Sequence, residues 1–189
     1  MKNVIIGGPS RSGKSILARR LSESLKLHAM PVDMAVVSLI AGFPELQLTW
    51  SNDEASLNRL APYLRVLLCK LGLRSGFSYV FEGNHLTPGL IGNLGPEYPI
   101  LEKAVPLFLG AVSANPNARL RRMREYASSN ACYTKSMSDE DLLKLIADLS
   151  EESRRVKQRC EELGLAYFDT ADDFDAALDA AKKYAESRA

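Results

Sequence analysis

The sequence predicts a three-layer α/β fold: a five-stranded parallel sheet with helices on both faces and a helical lid. Three observations carry that expectation. Short apolar runs rich in β-branched and aromatic residues alternate with helical patterns along the chain. A glycine-rich turn joins the first such run to the first helix. Finally, Gly13, Asp33, Glu82 and Asp169 all fall at the carboxyl ends of expected strands, where open parallel sheets gather their ligands.

The first strand is Val4-Ile5-Ile6, an apolar run suited to burial on both faces. Gly8-Pro9-Ser10-Arg11-Ser12-Gly13-Lys14-Ser15 follows and satisfies G-x-x-x-x-G-K-[ST], the Walker A pattern. Ile16, Leu17, Leu21 and Leu25 then recur at helical spacing from Ser15 to Lys26. Strand, glycine turn and helix are the context a phosphate-binding loop requires, so the fold class is that of the P-loop NTPases. Glycines let main-chain amides from Gly8 through Ser10, Arg11, Ser12 and Gly13 to Ile16 curl around phosphate oxygens, and the helix N-terminus adds partial positive charge. Lys14 would meet the β- and γ-phosphates, and Ser15 a Mg²⁺ ion.

His28 to Asp33 reads as a short second strand that Asp33 ends, with Pro31 near a strand start or sheet edge. Residues 34–76 read as helical: Met34 to Ala41, a break at Gly42-Phe43-Pro44, and a resumption after Trp50 under the cap pattern Ser51-Asn52-Asp53-Glu54. Leu57, Leu60, Leu64, Leu67, Leu68 and Leu71 form a core stripe there. Pro62 is expected to kink or divide that helix, and Gly72 and Gly76 to end it. Tyr79 to Glu82 is the third strand, Thr87-Pro88 starts a short helix, and Val105 to Val112 is the fourth strand. An arginine-rich helix runs from Asn115-Pro116 to about Ser128, and Ser128 to Ser138 is a polar connection. A long helix covers Asp139 to Leu163 and stops at Gly164. Leu165 to Asp169 is the fifth strand and Phe174 to Ala185 the last helix.

The 189 residues suit a single domain, 1–189. With 24 basic and 23 acidic residues the net charge is +1, which offers no general attraction to nucleic acid or anionic lipid. Neither partner is expected. Cys69, Cys132 and Cys160 are odd in number, far apart and without metal-ligand spacing, which fits a reducing, cytoplasmic setting. The run before Gly7 is too short for a signal peptide, and no apolar run reaches membrane-spanning length.

Phosphoryl transfer needs in-line positioning, charge neutralisation and a group to take the acceptor's proton. Lys14 with Mg²⁺ supplies charge, Asp33 is the candidate base, and Arg119, Arg121, Arg122 and Arg124 could close over the phosphates. Asp33 could equally cap the helix that follows, and the arginines could form a solvated face.

On these residues the chain resembles the small P-loop kinases, the group of adenylate, shikimate and gluconate kinases. The likeness rests on the Gly8–Ser15 loop, the acid after strand two, the strand ending Glu82-Gly83, the basic helix and the Asp169-Thr170-Ala171 turn. The resemblance implies ATP and Mg²⁺ as cofactors, a small-molecule acceptor held by 34–76, and a lid at 119–138. It implies Asp33 as base or acceptor anchor, Glu82 as holder of a Mg²⁺-bound water, and Arg119 and Arg122 as the lid arginines, with Arg122 at the transferred phosphate. It also places Thr170 at the adenine. Phe81-Glu82-Gly83-Asn84-His85-Leu86-Thr87-Pro88-Gly89 further resembles a segment of 2-phosphoglycerate-kinase-like proteins, which implies that Gly83, Asn84 and His85 face a polar acceptor.

The implied activity is transfer of the γ-phosphoryl group of ATP to a small hydroxyl- or phosphate-bearing metabolite. A nucleoside or nucleoside-monophosphate kinase is the nearest rival, kept open by Arg59, Arg65 and Arg74. A module that binds ATP without productive transfer, and a phosphotransferase for a large acceptor beside Trp50, are further alternatives. The base-reading and switch motifs of GTPases do not occur in the sequence.

Overall fold

The computed structural model describes residues 1–71, 77–94, 100–113, 115–129 and 133–189. Five strands, β1 (Asn3–Gly7), β2 (His28–Pro31), β3 (Tyr79–Glu82), β4 (Ala104–Gly110) and β5 (Ala166–Asp169), form one sheet in the order β2-β3-β1-β4-β5. Every pairing is parallel. The register sets Ile6 beside Glu82 and Pro31 beside Glu82, so the carboxyl ends of β1, β2 and β3 finish level with one another.

Successive residues of a strand face opposite ways, and the two faces bury different helices. Val4 and Ile6 of β1, with Val80, Leu107 and Leu109, meet Leu17 and Leu21 of α1 (Lys14–Leu25) and Leu178 and Ala181 of α8 (Phe174–Glu186). Ile5, Phe81 and Phe108 face the other way. They meet Val32 and Val36 of α2 (Val32–Gly42), Leu60 and Leu64 of α3 (Glu54–Arg65), Ile91 of α4 (Pro88–Gly92) and Cys160 of α7 (Asp139–Leu163). The short α5 (Ile100–Lys103) and the arginine-bearing α6 (Pro116–Ser129) complete the helices. Met123 of α6 packs with Leu142 and Ile146 of α7 in a small separate cluster, which fixes α6 beside the long helix.

The local chemistry explains the boundaries. Asp53 caps α3 by accepting from the Ser56 amide, Ser138 caps α7 by accepting from the Asp141 amide, and Gly164 ends α7 in the left-handed region. No helix among the described residues is long and apolar enough to cross a membrane.

Four expectations are corrected. β2 stops at Pro31 and α2 starts at Val32, so Asp33 belongs to the first turn of a helix rather than to a strand end. An acidic side chain is favoured there by the unpaired amides of that turn. Pro62 lies inside α3 without dividing it; the change comes at Val66–Leu71, which winds as a wider π-helical turn. β4 ends at Gly110 because the next two amides leave the ladder for side chains, Ala111 N to Ser153 Oγ and Val112 N to Asp169 Oδ1. The turn of helix before β4, at Ile100–Lys103, was not expected. The expected helix end at Gly72 and Gly76, Arg74 and Cys132 lie outside the described residues.

Candidate active site

The phosphate loop begins where β1 leaves the sheet. Gly8 lies there with φ 129°, packed so closely on β4 that a Cβ would stand 2.0 Å from the Leu109 carbonyl oxygen. Gly13 caps α1 with φ 99°, a conformation that glycine adopts without strain. Between them Arg11 takes a left-handed φ of 61°, and its guanidinium lies over the Tyr133 ring at 4.8 Å and the Tyr126 ring at 5.7 Å. Ser12 is buried, with a hydroxyl that meets no hydrogen-bond partner among the described residues.

Lys14 is buried, and its ammonium donates to the Pro9 carbonyl at 2.8 Å and to Asn84 Oδ1 at 2.7 Å. Burial lowers this amine from 10.5 to about 8, against the pull of the nearby Asp33 and Glu82 carboxylates. Ser15, the next residue, donates to either oxygen of Glu82, both 3.2 Å away. Glu82 is itself pushed up by burial, with the Lys14 charge opposing that shift. A serine hydroxyl beside a carboxylate at a helix N-terminus is a hard-oxygen pair of the kind Mg²⁺ takes, the remaining positions falling to water and phosphate. Among the described residues no group of three or more His, Cys, Asp or Glu side chains could hold a metal by itself.

Asn84 ties the site together. Its side chain accepts from Lys14 and donates to Ser10 Oγ at 2.8 Å, and its main-chain amide donates to Asp33 Oδ1 at 2.9 Å. Gly83 allows that approach, since a Cβ there would fall 2.8 Å from Asp33 Oδ1. His85 is fully buried beside Asp33 and lines neither cavity described below.

These groups line a cavity of about 730 Å³ running from Asp33, Glu82 and Lys14 past Ser15 and Ile16 to Arg119, Arg122 and Thr170. Arg119 is 5% exposed; one nitrogen reaches the Ser150 hydroxyl at 3.3 Å, while Nη2 has no partner among the described residues. Burial, then the neighbouring Arg122 charge, hold its guanidinium below its usual value. Arg122 lies over the Phe174 ring at 5.3 Å and points toward the Thr170 carbonyl, at 3.5 Å. Arg124 turns away: it is bound by Asp139 and by the carbonyls of Thr134 and Met137, which join α6 to the start of α7. Arg121 is exposed. Thr170 is buried, its hydroxyl donating to the Gly110 carbonyl at 3.0 Å.

A second cavity of about 520 Å³ adjoins the first and shares Ser10, Trp50 and Asn84 with it. Its far wall is Asn52, Glu152 and Arg155, and Asn52 Nδ2 donates to Glu152 at 3.0 Å. Sequence reading missed Glu152 and Arg155. They sit in a helix dense with acids and arginines, and nothing in their spacing separates them from the solvated ones. Arg59, by contrast, donates to the Gln47 carbonyl and lines neither cavity.

No protein-family model and no curated protein matches the chain. Solved structures do. A shikimate kinase from Bacteroides thetaiotaomicron superposes with a TM-score of 0.57 at 14% identity, covering 98% of each chain. A sugar kinase from a Janibacter species gives 0.54 at 16%, covering 98% of this chain and 95% of the other. A shikimate kinase from Acinetobacter baumannii in complex with shikimate gives 0.50 at 17%, covering 97% and 90%. Identities this low speak for architecture alone: with its all-parallel sheet in the order β2-β3-β1-β4-β5 and its loop from β1 into α1, the chain has the P-loop kinase fold.

Proposed function

We propose that this chain is a Mg²⁺- and ATP-dependent phosphotransferase that moves the γ-phosphoryl group to a small hydroxyl- or phosphate-bearing metabolite. The observation that carries the reading is the partition at Asn84: Lys14, Ser15 and Glu82 face one cavity, and a second polar cavity opens on the other side of Ser10 and Asn84. Triphosphate in the first cavity would end beside Asn84, and an acceptor held in the second would extend its hydroxyl past Ser10 and Asn84 to Asp33, which lines the first. Transfer in line then requires the acceptor oxygen to come within about 3–3.5 Å of the γ-phosphorus beside Asp33.

Each side chain then has a part. Lys14 leaves its Asn84 and Pro9 acceptors for the β- and γ-phosphates. Arg119 offers its spare Nη2 to the nucleotide, Thr170 and the turn beside it border the base, and Arg122 neutralises charge on the moving group. Ser15 and Glu82 would hold Mg²⁺, which would supply Lewis acidity at the phosphate oxygens. Asp33 accepts the proton of the acceptor hydroxyl while its oxygen attacks the γ-phosphorus and the bond to the β-phosphate oxygen breaks. Asn84 and Gly83 hold Asp33 in place.

The far cavity, with Glu152 and Asn52 as acceptors, Arg155 as donor and Trp50 as its one aromatic side chain, suits a polyhydroxylated or mildly anionic molecule. Hydroxyl-bearing organic acids, the class suggested by the Phe81–Gly89 segment, are the first acceptors to try. A coupled ADP-release screen over such acceptors with Mg²⁺-ATP, blanked with Asp33→Asn, tests the reading. Release that depends on an acceptor supports it, and slow release unchanged by every acceptor favours a module that binds ATP without transferring it.

A further inference from the structure

Behind Asp33 lies a histidine that phosphoryl transfer does not require and that solvent does not reach. His85 is fully buried. Its Nε2 stands 3.2 Å from the Trp50 carbonyl oxygen, its Nδ1 stands 3.5 Å from Asp33 Oδ1, and the Trp50 ring packs edge-on at 4.8 Å between centroids.

A carbonyl oxygen only accepts, so Nε2 must carry a proton to use that contact. A neutral imidazole would then turn the Nδ1 lone pair of a buried ring toward an oxygen of a half-buried carboxylate, two acceptors facing each other. Nδ1 makes no hydrogen bond among the described residues, its 3.5 Å approach to Asp33 being an ion-pair contact. Asp33 Oδ1 already takes the Asn84 amide on one side, and it cannot supply a donor to the ring. A proton on Nδ1 removes the conflict and makes both ring nitrogens donors. The charged groups near the pair are mixed in sign: Lys14 of α1 and Glu82 of β3 lie within electrostatic reach of each other and of Asp33, and Glu152 of α7 and Arg11 act in turn on Lys14.

We propose that His85 is a positioning residue for Asp33: an imidazolium pinned by the Trp50 carbonyl, which grips Oδ1 and leaves Oδ2 turned toward the acceptor. Oδ2 has no hydrogen-bond partner among the described residues, and Asp33 lines the first cavity. Trp50 borders both cavities, so one residue covers the ring and closes the wall of the site. The role rests on Asp33 as base, and it adds what a lone aspartate in a helical turn lacks, a second donor fixing the plane of the carboxyl group.

The chain has two histidines, and the other, His28, is exposed on β2, so histidine labelled with nitrogen-15 in both ring positions gives one site signal and one internal control. Long-range proton–nitrogen spectra at neutral pH are expected to show both His85 nitrogens protonated in the native protein. In Asp33→Asn the Nδ1 proton is expected to be lost and the ring to become the Nε2–H tautomer, with His28 unchanged. A native spectrum with a lone pair on Nδ1 overturns the proposal without need of any variant. So does a doubly protonated ring that ignores Asp33→Asn. The spectra require no turnover: a protonated pair in a protein that transfers nothing would sink the kinase reading and leave the pair intact.

Discussion

The hydroxyl of Ser15 lies 3.2 Å from each carboxylate oxygen of Glu82, a contact joining residues 67 positions apart in sequence. This pairing of the loop serine with the acid at the end of β3 is what would seat the cation. Glu82→Gln keeps the shape and removes the charge. It is expected to raise the Mg²⁺ concentration needed for half-maximal nucleotide turnover about 10- to 100-fold, measured by titrating Mg²⁺ at fixed ATP. An unchanged requirement would assign the cation elsewhere.

Lys14 gives a pH dependence with a definite sign. Its amine is lowered from 10.5 to about 8 by burial, and bound triphosphate favours the ammonium form. Below pH 8 the free protein already carries the charge, so affinity is full. Above it, binding must take up a proton, and affinity falls by up to about tenfold per pH unit. Calorimetric titration of Mg²⁺-ATP on either side of that pH should show the decline. Lys14→Ala should lose most of the affinity and the slope with it.

The Asp33 assignment separates binding from transfer. Asp33→Asn should leave Mg²⁺-ATP binding within about threefold and cut acceptor-dependent turnover by about 10²-fold or more. Gly83→Ala should act in the same direction, because its Cβ would press on Asp33 Oδ1 from 2.8 Å. Equal losses of nucleotide affinity in both variants would count against Asp33 as the base.

Arg119 should trade stability for binding. Its guanidinium is buried with Nη2 unpartnered among the described residues, so Arg119→Met is expected to hold or raise the stability of the nucleotide-free protein, by about 1 kcal/mol at most. The stabilisation gained on adding ATP should shrink in the same variant. Thermal unfolding with and without nucleotide reads both effects, and an undiminished nucleotide shift would remove Arg119 from the site.

In the second cavity, Glu152→Ala and Arg155→Ala should raise KM for the acceptor about tenfold or more and leave KM for ATP alone. Steady-state kinetics with either substrate varied will separate the two.

Much of the fold was legible because its signals are local. The glycines of the phosphate loop, the apolar strand before it and the stop at Gly164 depend on near neighbours in sequence, and they fall where those neighbours predict, whereas α3 is capped by Asp53 rather than by the Ser51 of the expected capping box. The start of α2 was misread because Pro31 ends a strand and opens a helix equally well, and only the sheet register settles which residue turns first. In the site, Lys14 and Glu82 could be named from their motifs. The link between them through Asn84 could not, since it depends on β1 and β3 lying side by side. His85 was read as facing an acceptor, and its contact with Trp50, which comes from a loop with no periodic signal, could not be read from the sequence. Glu152 and Arg155 acquire their place from the packing of α7 across β4 and β5.

Incubation with ATP labelled at the γ-phosphorus, in a mixture of small hydroxylated acids and sugars, puts the transfer itself to the test. Label should pass into an organic phosphate with the native protein and, at the same protein and nucleotide concentrations, fail to do so with Asp33→Asn. Label that appears only as inorganic phosphate, at the same rate whatever acceptor is added, would contradict a transferase built around Lys14 and Asp33.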